Sequence, residues 1–166
     1  FSYAETLAFT NDAVEKGLEA LRQGATIVTD TTMALSGISK PALGMLGGKA
    51  LCFIADEEVA KAAQEQGTTR AVASMEKAAS VEGPLIFAIG NAPTALIRIC
   101  ELHAAGKIDP ALVIGVPVGF VNVVESKEML LETDMPAIVA QGRKGGSNVA
   151  AALCNALLYS LTRKEQ

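Results

Sequence analysis

A chain of 166 residues, half of them hydrophobic and 19 % charged, is long enough to bury a core in one domain and too apolar to be a disordered segment. Its 14 Lys and Arg are scattered against 18 Asp and Glu, for a net charge of −4, and it has two Tyr and no Trp, a composition that excludes a nucleic-acid footprint or stacking platform. Three separated cysteines without CxxC or Cys/His spacing argue against a bound metal, and no apolar run reaches the ~18 residues that a membrane span requires.

Along the chain, Ala13, Val14, Leu18 and Leu21 recur at helical spacing over residues 11–23, with Asn11 or Asp12 as cap and Gly24 after the last turn. Residues 25–29 read as a first buried strand ending at Asp30, and residues 31–35 as a helical turn closed by Gly37 and the Pro41 region. Residues 50–55 give a second strand, Asp56 caps a helix over 57–66, and Thr68 or Thr69 caps another that runs to about residue 80. Strands at 84–89, 111–116 and 137–140 each lead into a helix, the last of these running from Ser147 to about residue 163. Strands that are apolar throughout are buried on both faces, and strands separated by helices imply right-handed crossovers. The expectation is a single domain over residues 1–166: an α/β fold, as a three-layer α/β/α sandwich with a mainly parallel five-stranded sheet.

In such a sheet, ligands bind at the carboxyl ends of the strands, so the loops there are the candidate site. After the third strand come Gly90, Asn91, Ala92, Pro93 and Thr94. Pro93 suits the first helical position, and the N–H groups just beyond it can receive an anion, although the same residues also make an ordinary helix start. After the fourth strand, Val116, Pro117, Val118, Gly119 and Phe120 form a tight apolar wall, followed by Glu125, Ser126 and Lys127, which read either as site residues or as a solvated helix face. After the fifth come Gly142, Arg143, Lys144, Gly145, Gly146 and Ser147, two cations beside a Gly-Gly turn and a Ser-started helix, the makings of an anion receptor.

Asp30, Thr31, Thr32 and Met33 reach the same edge after the first strand, with Asp30 read as a site residue or as a cap. Thr69 and Arg70 open a helix from which Arg70 can fork onto a carboxylate, or stand as a surface charge. The sole histidine, His103, lies about three turns from this edge, where a helix C-terminus favours it, and no Ser/His/Asp or Cys/His set assembles around it. Walker and GxGxxG patterns are absent, which disfavours a nucleotide or flavin.

The strings IGNAPTAL, VIGVPVGFVNVVESKE and GRKGGSNVAAALCNAL, with VTDTTMALSGI and GTTRA upstream, closely resemble the precorrin-8X methylmutase family of cobalamin biosynthesis, in order and over nearly the whole chain. The resemblance implies a flavodoxin-like fold, a cytoplasmic homodimer, no cofactor, and a methyl shift from C-11 to C-12 of a tetrapyrrole-derived macrocycle, with or without cobalt. A broad ring edged with carboxylates fits an apolar wall with dispersed donors. The substrate-binding set is therefore Asp30, Thr31, Thr32, Met33, Thr69, Arg70, Asn91, Ala92, Thr94, Pro117, Val118, Gly119, Phe120, Ser126, Lys127, Arg143, Lys144, Gly145, Gly146 and Ser147. The family's proton-donating histidine lies in a segment upstream of the region that Phe1 begins, and His103 does not match it, so no catalytic residue is assigned. A chain that opens on Phe1 is expected to be a fragment or processed product lacking that segment. The alternative in another class is a non-catalytic corrinoid-binding or carrier module.

Overall fold

A computed structural model describes residues 7–141 and 145–163. Its elements run β1 (Leu7–Thr10), α1 (Ala13–Arg22), β2 (Thr26–Thr29), α2 (Thr32–Gly37), α3 (Lys40–Met45), β3 (Lys49–Cys52), α4 (Glu57–Gln66) and α5 (Arg70–Ala78). They continue with β4 (Leu85–Ile89), α6 (Pro93–Ala104), β5 (Leu112–Gly115), α7 (Val123–Leu131), β6 (Ala137–Ala140) and α8 (Ser147–Thr162).

The strands form one sheet in the order β1-β6-β5-β4-β2-β3, parallel except for the β1–β6 pair. The expected five strands are thus corrected to six. Leu7–Thr10 is too short and too close to a polar stretch to announce itself, and its pairing is set from outside. Asn11 and Asp12 adopt left-handed backbone, with φ of 53° and 58°, and turn the chain directly into α1. Asn11 Nδ2 then donates to the carbonyls of Thr133 and Met135 at 3.3 and 3.0 Å, which ties the turn to the segment entering β6.

Alternate residues of the apolar strands enter two separate cores. Ile27, Ile86, Ala88, Leu112, Ile114 and Ile138 pack against α1, α2, α3 and α8. Val28, Phe87, Ile89, Val113 and Val139 pack against α5, α6 and α7 on the other face. Each large aliphatic or Phe side chain so buried contributes roughly 1.5–3 kcal/mol, which is why these strands carry no polar alternation.

Local chemistry sets the helix starts. Thr31, Ser39 and Thr69 accept hydrogen bonds from the N–H groups of Ala34, Ala42 and Val72 at 3.1, 3.2 and 3.2 Å. The Ser39 cap and Pro41 create α3 in the region expected only to close the turn at residues 31–35, which is itself the helix α2. Asp56 precedes α4 as expected but makes no capping bond; its carboxylate instead holds Lys77 of α5, which Glu58 also engages.

From β2 the chain moves outward to β3 through helices on one face. From β4 it moves the opposite way to β5 and β6, through α6 and α7 on the other face. The loops leaving adjacent β2 and β4 therefore diverge and open a crevice at the carboxyl ends.

Candidate functional site

That crevice is a cleft of about 410 Å³. Thr31, Thr32 and Met33 enter it from the β2–α2 loop, Gly90 and Asn91 from the end of β4, Val118 from the loop after β5, and Gly145, Gly146, Ser147 and Asn148 from the start of α8. Four loops expected to share one edge do share it.

Close backbone approach makes the cleft. A Cβ on Gly90 would lie 2.6 Å from the Ser147 Cα, so a glycine is needed for the β4 and α8 segments to touch. Gly145 has φ +151°, and a Cβ there would lie 2.2 Å from the Val116 carbonyl oxygen, the same oxygen that accepts the Gly146 N–H at 2.8 Å. Across the floor, the Thr31 and Ser147 hydroxyls are hydrogen-bonded at 2.7 Å.

Asp30, 2 % exposed, sits beneath this floor. Its Oδ1 accepts the Gly90 N–H at 2.9 Å, and its Oδ2 accepts the N–H groups of Asn91 and Ala92 at 2.9 and 2.7 Å. Burial pushes its carboxyl above the ordinary value, against the opposing pull of those three donors. The start of α6 is thus already occupied by an internal anion. Beyond Pro93, the Ala95 N–H bonds back to the Ala92 carbonyl at 3.1 Å.

The remaining candidates are distributed differently. Pro117 is buried, Gly119 is exposed, and Phe120 stands 84 % exposed on the same loop as Val118. Ala92 is half-buried before α6, and Thr94 is exposed on its first turn. Thr69 is occupied in capping α5, and Arg70 is exposed at its first residue; neither lines the cleft. Ser126 and Lys127 are buried rather than solvated, and they too stand apart from the lining. The Ser126 hydroxyl donates to the Val123 carbonyl at 2.8 Å, and burial pushes the Lys127 amine down to about 8. Arg143 and Lys144 lie outside the described residues.

Sequence reasoning left Gly90 and Asn148 out of the site. The first is needed for its missing side chain, and the second follows Ser147 at the helix start, a signal present in the string GGSN. His103 lies at the opposite end of the sheet, its Nε2 3.4 Å from Asp134 Oδ1. Among the described residues, no cluster of three or more His, Cys, Asp or Glu is placed to hold a metal ion.

None of the described residues lining the cleft is titratable. It offers hydroxyls, two amide side chains, apolar Met33 and Val118, and exposed backbone. Its volume falls in the lower part of the range for small-molecule sites, about 300–1,000 Å³, so it suits the edge of a broad ligand rather than the whole of one.

The profile of the precorrin-8X methylmutase family matches residues 1–160. A cobalt-precorrin-8 methylmutase of Salmonella typhimurium is 51 % identical over 162 residues, covering 97 % of this chain and 75 % of that protein. One of Leptospira interrogans is 43 % identical over 172 residues, covering 99 % and 78 %. The crystal structure of a precorrin-8x methyl mutase from Thermus thermophilus aligns with a TM-score of 0.86 at 37 % identity, covering 98 % of this chain and 79 % of that one.

Proposed function

The chain belongs to the precorrin-8X methylmutase family of cobalamin biosynthesis, and from that premise we propose that it seats the rim of its macrocyclic substrate in the cleft between Thr31 and Ser147. The activity is the isomerisation of precorrin-8X, or of the cobalt-bearing form for which the Salmonella and Leptospira relatives are named. A methyl group leaves C-11 and bonds to C-12 of the same ring, giving hydrogenobyrinic acid or its cobalt counterpart. Atoms and electrons balance within the substrate, and no oxidant or reductant enters.

The observation that carries this placement is the convergence of four strand-end loops on a cleft whose described lining holds no titratable side chain. Such a lining orients a ring rather than protonating it. Met33 and Val118 meet the ring's apolar face, and the side chains of Thr31, Asn91, Ser147 and Asn148 meet its carboxylate-bearing edge. Arg143 and Lys144, which fall in the sequence between β6 and α8, neutralise that edge in this reading. The family likeness assigns the proton that assists migration to a histidine that His103 does not match. Taken without β1, the strand order is the 2-1-3-4-5 winding of flavodoxin-like folds. Dimerisation and a cytoplasmic setting belong to the same reading, by the family likeness.

The test is an absorption titration of the protein with hydrogenobyrinic acid. A coloured complex is expected, and Arg143→Ala with Lys144→Ala weakens it by about tenfold or more, as loss of charge-assisted hydrogen bonds implies. A ring spectrum unchanged by the parent protein contradicts the reading. Tight product binding without turnover, in a chain that carries the histidine segment, would make the protein a corrinoid carrier instead.

A further inference from the structure

Asp30 is an unusual group to find under a ligand cleft. Its carboxylate is 2 % exposed, and the partners it has are backbone N–H groups, with no Lys or Arg among them in the described residues. A buried charge without a counter-charge is costly to keep. Three short hydrogen bonds at the start of a 12-residue helix offset part of that cost, and burial still outweighs them in setting the carboxyl's proton affinity. An amide in its place would set an NH2 donor against a backbone N–H donor, and an apolar side chain would leave all three N–H groups unpaired, so only a carboxylate accepts from all three.

It holds the exit of β4. Asp30 ends β2, and its two oxygens fix Gly90, Asn91 and Ala92, so one side chain ties together the diverging loops at the point where the sheet changes direction. Gly90 is the residue pressed against Ser147, and Asn91 lines the cleft. A displaced Gly90–Ala92 segment would move both. The geometry points to Asp30 as a positioning residue for the methyl-shift reaction: it fixes the Gly90–Ala92 backbone before substrate arrives and acts on the ring through Asn91. This inference rests on the macrocycle occupying the cleft; it removes Asp30 from the substrate contacts and gives it a different task.

Two measurements test it together. In amide hydrogen exchange on the unaltered chain, Gly90, Asn91 and Ala92 are expected to exchange slowly without ligand and to change little when hydrogenobyrinic acid is added. Fast exchange that slows only with product would mean that the ring, not Asp30, organises the segment, and would overturn the proposal. In the second measurement, Asp30→Asn is expected to fold with a lowered Tm, because its NH2 group opposes a backbone donor, while product affinity falls about 10- to 100-fold, the scale of a misplaced contact. Asn91→Ala is expected to lose affinity too, and the Asp30→Asn loss should largely vanish in the Asn91→Ala background. Parent-like affinity in Asp30→Asn, or full additivity of the two substitutions, overturns the proposal. Should Asp30→Asn not fold, hydrogen exchange on the unaltered chain decides alone. Failure of the parent itself to bind product would instead count against the placement of the ring, so the two ideas fail separately.

Discussion

Two clefts of similar size lie at opposite ends of the sheet, about 410 Å³ at the carboxyl ends of the strands and about 430 Å³ beside His103. The second holds the groups usually sought in an active site: His103, Lys107 and Asp109, with Asp134 near the imidazole. The first has no titratable lining among the described residues, yet there four loops converge and glycines bring backbone segments into contact. Volume does not separate them, and reactive side chains point the wrong way. Topology separates them, because the loops leaving the carboxyl ends of adjacent β2 and β4 pass to opposite faces of the sheet.

Matched substitutions in the two clefts sharpen that contrast. The largest effect is expected from Gly145→Ala, where strained backbone and a Cβ 2.2 Å from the Val116 oxygen act together. About 3 kcal/mol of stability should be lost in chemical denaturation, with product binding abolished. Gly106→Ala, at φ +74° with nothing within 4 Å, is the control and should cost about 1 kcal/mol with binding intact. Equal losses in both would erase the distinction.

Next comes Lys127, 3 % exposed midway along α7, whose amine burial pushes down to about 8. In the unfolded chain the amine takes its ordinary value near 10.4. Between these values the unfolded state binds more protons, so this group's contribution to stability improves as pH rises from about 8 toward 10 and is at its worst below that window. Lys127→Met should therefore flatten the rise of stability with pH between about 8 and 10, measured by chemical denaturation against the parent. A constant difference across that range would show that the lysine is not buried as a charge.

A smaller loss, about 1 kcal/mol, is expected from Thr31→Val, which removes the 2.7 Å bond to Ser147 and the cap on Ala34. The product's bound spectrum should shift with it. The smallest is His103→Gln. Its partner Asp134 is 89 % exposed, so the pair contributes at most about 0.5 kcal/mol, and product binding should be unchanged. A large loss of binding would move the site to the other end of the sheet.

Much of this contrast was legible in the sequence. Strands β2, β4, β5 and β6 were readable because both faces are covered, so apolar residues run without a break, and Pro93 and Gly24 marked helix ends by their backbone chemistry. β1 was not readable, because four residues gain a partner only once β6 exists and Asn11 turns the chain. The cleft's loops were legible as glycine-bearing strand ends, but their internal wiring was not. Nothing in the string VTD tells that Asp30 bonds to residues 90–92, about 60 positions away, or that Ser126 faces inward while Phe120 faces out. Such assignments depend on long-range packing that periodicity does not encode.

Amide chemical-shift mapping during a titration with hydrogenobyrinic acid compares the two ends directly. The largest shifts should fall on Thr32, Asn91, Ser147 and Asn148, with His103, Lys107 and Asp109 unmoved. Shifts clustered on His103, Lys107 and Asp109, with the strand-end loops silent, would place the macrocycle at the wrong end of the sheet for everything proposed about this cleft.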